Sequence, residues 1–315
     1  MNSHNKLHTV STDDFYGLNA SIDTVSGFIK EKMKSRKLVY RYPEKTERDK
    51  SILKICQYLL SENFVVSGEH RKGQWEDGWE ENLQEYIETK SLKSLIPKYY
   101  NKENITRLRG NFVISDSDDF ELEVVSLMLY LIHEKYFAYA DNIYEFGAGT
   151  GHNLLKLRDI NKSANLYSME WTQSGVNLIN RVSKHTNDDN LYGVLFDNFN
   201  PDWSVKLKHD SSVYTVHALE QLGEKTDEII NYWIENKPKI IVNIEPMSDT
   251  LDQDDLLQYL SIKYAEKRGY LKNYIAKLRS LEKEGIVTIH DVYRTGVGSL
   301  FIESCSVVIW SPNSN

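Results

Sequence analysis

The sequence predicts an α/β protein: an open, mostly parallel sheet covered by helices and preceded by a mainly helical region. Three observations predict it. Residues 142–151 read Asn-Ile-Tyr-Glu-Phe-Gly-Ala-Gly-Thr-Gly, a short apolar strand running into glycines at three alternate positions, and residues 153–157 then read as a helix start. From Asn142 onward, apolar strand-like runs alternate with helical stretches, the pattern of a parallel sheet with both faces covered. The next two strands each end in an acid, Glu170 and Asp197.

Taken in order, residues 1–140 carry helical spacing and no glycine loop. Residues 51–60 and 120–137 repeat apolar side chains at the helical period; in the second, Phe120, Val124, Leu127 and Leu131 share the face expected toward a core. Residues 74–82, Gln-Trp-Glu-Asp-Gly-Trp-Glu-Glu-Asn, bring together two tryptophans and four carboxylates. Pro97 and the pair Tyr99-Tyr100 mark a break, and the basic run 98–109 reads as a solvated connection. Residues 142–146, 166–170 and 191–197 are the first three strands of the sheet, and 212–216 and 239–244 the fourth and fifth. Residues 252–283 are helical with an interruption near Gly269, and 286–292 and 304–310 alternate apolar with polar residues as a closing antiparallel pair.

A chain of 315 residues is long enough for a substantial core and for two domains. Its 40% hydrophobic and 27% charged residues are ordinary for a globular protein. The net charge of −8 argues against a nucleic-acid backbone as partner. Cys56 and Cys305 lie far apart without metal spacing, and such sparing use suits a reducing compartment. The first residues are polar and lack the apolar stretch of a secretory signal. The densest apolar run, 124–132, is far short of the roughly 18 residues of a membrane span. A cytoplasmic protein with no membrane partner is expected.

A strand, a glycine loop and a helix N-terminus form a nucleotide-binding arrangement, because each glycine lets the backbone turn or approach a ligand. In the dinucleotide fingerprint the third small residue stands three places after the second glycine, and here that place holds His152. The pattern E-x-G-x-G-x-G over Glu145, Gly147, Gly149 and Gly151 instead resembles motif I of the class I S-adenosylmethionine-dependent methyltransferases. The resemblance implies a Rossmann-like seven-stranded sheet, with a reversed seventh strand inserted beside the fifth. It implies S-adenosyl-L-methionine as cofactor, Glu145 near its methionine amino group and the three glycines close against it. Glu170, at the tip of the second strand, is positioned to accept both ribose hydroxyls. In the family the Asp197 position accepts from the adenine amino group. Trp171 has two readings, stacking on adenine or packing a helix. Residues 141–315 would then be the cofactor-binding methyltransferase domain, and 1–140 a helical acceptor-binding or lid region. The tryptophans of 74–82 are either that lid or a structural helix.

The fourth strand leads into Val216-His217-Ala218-Leu219-Glu220-Gln221, the loop that in this family lies between sulfonium and acceptor. A neutral imidazole at His217 can take a proton from an attacking hydroxyl, with Glu220 orienting it or acting as the base itself. The alternative is that both residues only line the pocket. Glu245 and the pair His290-Asp291 could join His217 and Glu220 in a divalent-metal site, but no local ligand spacing supports one. A second polar pair in the acceptor pocket is the reading, and no metal is expected. Trp-Glu-x-Gly-Trp over 75–79, the glycine loop, and His-Ala-Leu-Glu-Gln together resemble, weakly, bacterial sugar O-methyltransferases. The expected function is methyl transfer to a small-molecule or saccharide hydroxyl. Methylation of a peptide or natural-product acceptor, at nitrogen or carbon, and a non-catalytic cofactor-binding partner protein are the alternatives.

Overall fold

The computed structural model describes residues 6–62, 64–100 and 103–313. The N-terminal region contains a two-residue ladder, β1 (His8–Thr9) with β2 (Val39–Tyr40), and helices α1 (Gly27–Arg36), α2 (Lys45–Leu60) and α3 (Lys72–Thr89). The hairpin β3 (Ile105–Leu108) and β4 (Asn111–Ile114) follows, then α4 (Phe120–Phe137). The main sheet is built from β5 (Asn142–Phe146), β6 (Asn165–Glu170), β7 (Leu191–Leu195), β8 (Ser211–Val216), β9 (Ile240–Glu245), β10 (Val287–Arg294) and β11 (Ser306–Pro312). Between them run α5 (His152–Ile160), α6 (Gln173–Thr186), α7 (Asp227–Asn236), α8 (Leu256–Arg268) and α9 (Tyr274–Lys283).

The strand order is β10-β11-β9-β8-β5-β6-β7. The five strands from β5 to β9 pair in parallel, β11 runs antiparallel to β9, and β10 is antiparallel to β11. This is the expected seven-stranded sheet with its reversed last strand beside the fifth. The chain moves outward from β5 through β6 and β7, then returns to β8 on the other side of β5. The order therefore reverses between β5 and β8, and an open α/β sheet leaves its ligand crevice at such a point.

Strand sequences explain the two-sided burial. Tyr144, Tyr167 and Tyr192 stack across β5, β6 and β7 with ring centroids 4.2 and 4.9 Å apart. On that face Phe146, Val213 and Ile241 pack against Trp233 of α7 and Tyr274 and Leu278 of α9. On the other face Ile143, Leu166 and Val242 share a core with α4, α5 and α6. That core continues without a gap into Phe15, Ile29, Leu83 and Tyr86 from before residue 140. The N-terminal helices are thus packed onto the sheet's covering layer rather than appended to it.

The interruption expected near Gly269 is where α8 ends and α9 follows, because Gly269 takes the left-handed conformation (φ +65°) that closes α8. The run 98–109 is not simply a solvated connection: residues 105–108 form buried strand β3, and Arg107 is fully buried. Its guanidinium donates to the carbonyls of Leu257 and Leu300 and to Ser261 Oγ, at 2.9, 3.3 and 2.6 Å. Those acceptors, distant in sequence, are what make a buried arginine tolerable. The hairpin packs with α2 and α8 in a small separate cluster around Ile55, Phe112, Leu257 and Leu300.

Candidate functional site

A cleft opens at the carboxyl ends of β5, β6, β7 and β8. Its floor is the glycine loop. Gly147, Gly149 and Gly151 all take positive φ, between +57° and +73°. A Cβ on Gly147 would lie 2.4 Å from the Cβ of Ala218, so the loops after β5 and β8 meet where only a hydrogen fits. A Cβ on Gly149 would lie 2.9 Å from the Trp79 ring. Gly151 precedes the first residue of α5 and turns the chain into that helix.

Glu170 ends β6 and lines the cleft. Its Oε2 accepts from Gly149 N at 2.7 Å, while Oε1 accepts from Thr172 N and Oγ1 at 3.1 and 2.8 Å. The carboxylate therefore holds the glycine loop and the start of α6 together. Each carboxylate oxygen has two lone pairs, and Oε2 keeps one free for a ligand hydroxyl. Burial raises its pKa above the usual carboxylate range. Trp171 lines the same wall, its ring stacked on Phe199 at 5.7 Å and 22°.

Asp197 stands beside the cleft rather than in its lining. Its Oδ1 accepts from Phe199 N at 2.9 Å, and Oδ2 faces Lys72 Nζ at 3.4 Å. The next residue, Asn198, lines the cleft, and its buried Oδ1 has no hydrogen-bond partner. An orphaned acceptor is costly unless a ligand donor meets it. The sequence signal for Asn198 was its place one residue beyond a strand-ending acid.

Glu145 lies beneath the loop, buried, and is not part of the cleft lining. It accepts from Asn153 Nδ2 at 3.0 Å and from Tyr214 OH at 2.8 Å, and burial pushes its carboxyl up to about 7. Asn153 itself lines the cleft, so Glu145 acts on the site through that amide.

At the other side of the Gly147–Ala218 contact stands His217, with φ +52°, a backbone state that a histidine rarely adopts outside turns and functional sites. Its Nε2 lies 3.1 Å from the Ser304 carbonyl and 3.4 Å from Cys305 Sγ. A carbonyl only accepts, so Nε2 carries the hydrogen and Nδ1 keeps its lone pair. Burial pushes this imidazole down to about 4, leaving it neutral at physiological pH. Glu220 does not orient it. The Glu220 carboxyl receives Gln221 Nε2 at 3.1 Å, and burial together with neighbouring Glu245 pushes it up to about 8. Glu245 buttresses the loop, accepting from Ala218 N and Glu220 N at 3.1 and 3.3 Å. His290 bonds Ser311 Oγ on the edge of the sheet, and no three metal-ligating side chains cluster among the described residues.

The N-terminal region supplies the cover. Trp75 and Trp79, one turn apart on α3, both line the cleft with Pro97 and Tyr99. Thr150 Oγ1 donates to the Leu95 carbonyl at 2.5 Å, tying the loop to the same cover.

No protein-family model and no curated protein matches the chain. Solved structures with a similar chain path include an O-methyltransferase (NcsB1) from neocarzinostatin biosynthesis, in complex with S-adenosylmethionine and 2-hydroxy-5-methyl naphthoic acid. It is 15% identical, over 76% of this chain and 70% of that one, with a TM-score of 0.45. The N-methyltransferase NodS from Bradyrhizobium japonicum WM9, in complex with S-adenosyl-L-homocysteine, is 13% identical over 61% and 87% of the two chains, TM-score 0.44. Magnesium protoporphyrin IX methyltransferase (ChlM) from Synechocystis PCC 6803 is 9% identical over 75% and 97%, TM-score 0.45. By its own strand order and reversed seventh strand, the sheet is a Rossmann-like methyltransferase sheet. No helix among the described residues is long and apolar enough to cross a membrane.

Proposed function

We propose that the protein is an S-adenosylmethionine-dependent methyltransferase acting on a hydroxyl of a small molecule or saccharide. The observation that carries this reading is one cleft with two unlike ends. Glu170 and Asn198 stand on one side of the glycine loop, and a neutral histidine, His217, on the other. When bound, S-adenosylmethionine supplies a methyl group already activated by its sulfonium.

The residues present fit that group. The spare lone pair of Glu170 suits a ribose hydroxyl, the unpartnered Oδ1 of Asn198 suits an amino donor, and the Trp171 face suits an adenine ring. The positive-φ glycines keep side-chain atoms off the floor of the cleft. At the far end, Nδ1 of His217 accepts the proton of an acceptor hydroxyl as it becomes a nucleophile. The Ser304 carbonyl keeps the imidazole in the tautomer that this step needs. Trp75 and Tyr99 present aromatic faces to an acceptor ring, and with Trp79 they exclude water.

Calorimetry with S-adenosylhomocysteine, followed by incubation with methyl-labelled cofactor and fractionated extracts, tests the reading. Binding of S-adenosylhomocysteine with label appearing on an oxygen of a small product is expected. Preference for a nicotinamide dinucleotide would overturn the cofactor assignment. Binding without transfer to any fraction would support the non-catalytic alternative.

A further inference from the structure

Behind Trp75 and Gln221, which line the cleft with His217, lie two arginines whose donors and charge the protein does not fully satisfy. Arg71 lies over the Trp75 ring, its guanidinium carbon 5.1 Å from the ring centroid. Its Nη1 donates to Gln221 Oε1 at 3.3 Å and its Nε to Gln74 Oε1 at 3.1 Å. Gln221 lines the cleft on the acceptor side, next to His217 and Leu222. Arg268, the last residue of α8, is brought to the same place by the strap before Arg71. Ser67 N donates to the Arg268 carbonyl at 2.7 Å, Ser67 Oγ donates to Gly269 O at 2.6 Å, and Arg268 Nη1 donates to Val65 O at 2.5 Å. The Arg268 guanidinium sits 5.2 Å from the Tyr270 ring.

Neither guanidinium has a carboxylate within ion-pair distance among the described residues. Arg268 Nε and Trp75 Nε1 are buried donors with no acceptor. Arg71 is held below the usual arginine range, first by burial and then by the nearby charge of Arg268. The charge of Glu220 bears on both arginines, but it forms no ion pair with either among the described residues. Two partly buried guanidiniums bordered by unsatisfied donors leave hydrogen-bonding capacity that an arriving anion can use. Guanidinium forks match the oxygens of a carboxylate better than any neutral group.

We infer that the acceptor carries an anionic oxygen group, a carboxylate, seated between Arg71 and Arg268 while its hydroxyl faces His217. The inference rests on the methyltransferase reading above and narrows its substrate class to hydroxy acids, uronic acids among them. The arginines are specificity residues for the acceptor and leave the cofactor's affinity to the glycine loop and Glu170.

The test uses the full chain. S-adenosylhomocysteine is titrated first, and its binding separates the fate of the methyltransferase reading from that of this inference. The loaded protein is then titrated with matched probes, glucuronate against glucose and salicylate against salicyl alcohol. Each carboxylate is expected to bind at least about tenfold more tightly than its neutral partner. Arg71→Gln and Arg268→Gln should each remove most of that preference, while Arg71→Lys restores part of it, and S-adenosylhomocysteine affinity should stay within about twofold. Because Arg268 also ties down Val65, Arg71→Gln is the decisive variant if Arg268→Gln fails to fold. Equal binding, or none, by both members of each pair would overturn the inference. So would a preference that survives Arg71→Gln, or a substitution that weakens S-adenosylhomocysteine as much as the carboxylate, since the site would then belong to the cofactor's own carboxylate.

Discussion

The Glu76 carboxylate of α3 accepts hydrogen bonds from Ser174 N at 2.7 Å and Gln173 N at 2.8 Å, and Ser174 Oγ donates back to the Glu76 carbonyl at 3.0 Å. Gln173 and Ser174 are the first residues of α6, whose opening N–H groups have no partner within their own helix. A side chain far away in sequence thus caps a helix of the main sheet, with the favourable sign for the helix dipole. The cap fixes α3 at the height where Trp79 reaches Gly149. Replacing Glu76 by alanine should cost about 1 kcal/mol of stability and also weaken S-adenosylhomocysteine binding. Urea denaturation and calorimetry on one preparation check both. A loss of stability with unchanged affinity would mean that the clamp does not set the cleft.

Glu170 serves the loop and the ligand at once. Glu170→Ala should weaken S-adenosylhomocysteine by about 1–3 kcal/mol, the scale for hydrogen bonds to a charged partner. Part of that loss comes from Gly149 N, which forfeits its acceptor. Glu170→Gln keeps one acceptor oxygen and should fall between. Wild-type affinity in a folded Glu170→Ala protein would remove this carboxylate from the site.

Neighbouring Asp197 and Asn198 should separate cleanly. Asn198→Ala removes the cleft-facing orphan acceptor and should weaken S-adenosylhomocysteine by about 0.5–1.5 kcal/mol with little effect on stability. Asp197→Ala removes the acceptor of Phe199 N and should act mainly on stability. The reverse assignment, with affinity lost only in Asp197→Ala, would restore the aspartate as the adenine contact.

The sheet was legible because its signals are local. Strand-ending acids and a glycine loop each sit within a few residues, and the alternating pair at the C-terminus announces its antiparallel pairing. What escaped the sequence is partnership at long range. Arg107 reads as surface charge until Leu257, Ser261 and Leu300 surround it. Glu76 reads as one acid in a cluster of four until α6 arrives beside it. Asp197 matches a family position, but its side chain turns back to its own loop, and the next residue faces the cleft. His217 was placed at the right strand end by its motif. Its tautomer and low basicity depend on Ser304 and on burial, which no spacing encodes.

His133 makes a prediction about acid stability. It is fully buried on α4, 5.2 Å from the Tyr214 ring, and neither ring nitrogen has a partner. Burial pushes it down to about 3. An unfolded chain protonates this histidine near 6.5, whereas the folded chain refuses the proton. Its contribution is therefore present above about 6.5 and is lost as pH falls toward 3, by up to about 1.4 kcal/mol per pH unit. His133→Phe should stabilise the protein by about 1–3 kcal/mol at pH 7, because two unsatisfied polar atoms leave the core. Its advantage should widen in urea titrations at pH 6, 5 and 4. A constant gap across that range would show that His133 takes no part in acid unfolding.

The acid–base chemistry yields the sharpest pH test. An ordinary histidine base would give a rate that rises through pH 6–7, the limb expected from the sequence alone. Burial moves that limb down to about 4 for His217, so kcat should be nearly flat from pH 5.5 to 7.5. His217→Ala should lower kcat by about 10²–10⁴ and leave S-adenosylhomocysteine affinity close to wild type. Glu220 is mostly protonated over the lower part of that range, with its carboxyl pushed up to about 8 by burial and Glu245. Glu220→Gln mimics that neutral form and should change kcat little below about pH 7. A wild-type rate that climbs through about 8, and a Glu220→Gln variant that lacks the climb, would transfer the base role to Glu220. In that case His217 would be a wall of the pocket, and its left-handed backbone would serve only to bring Ala218 against Gly147.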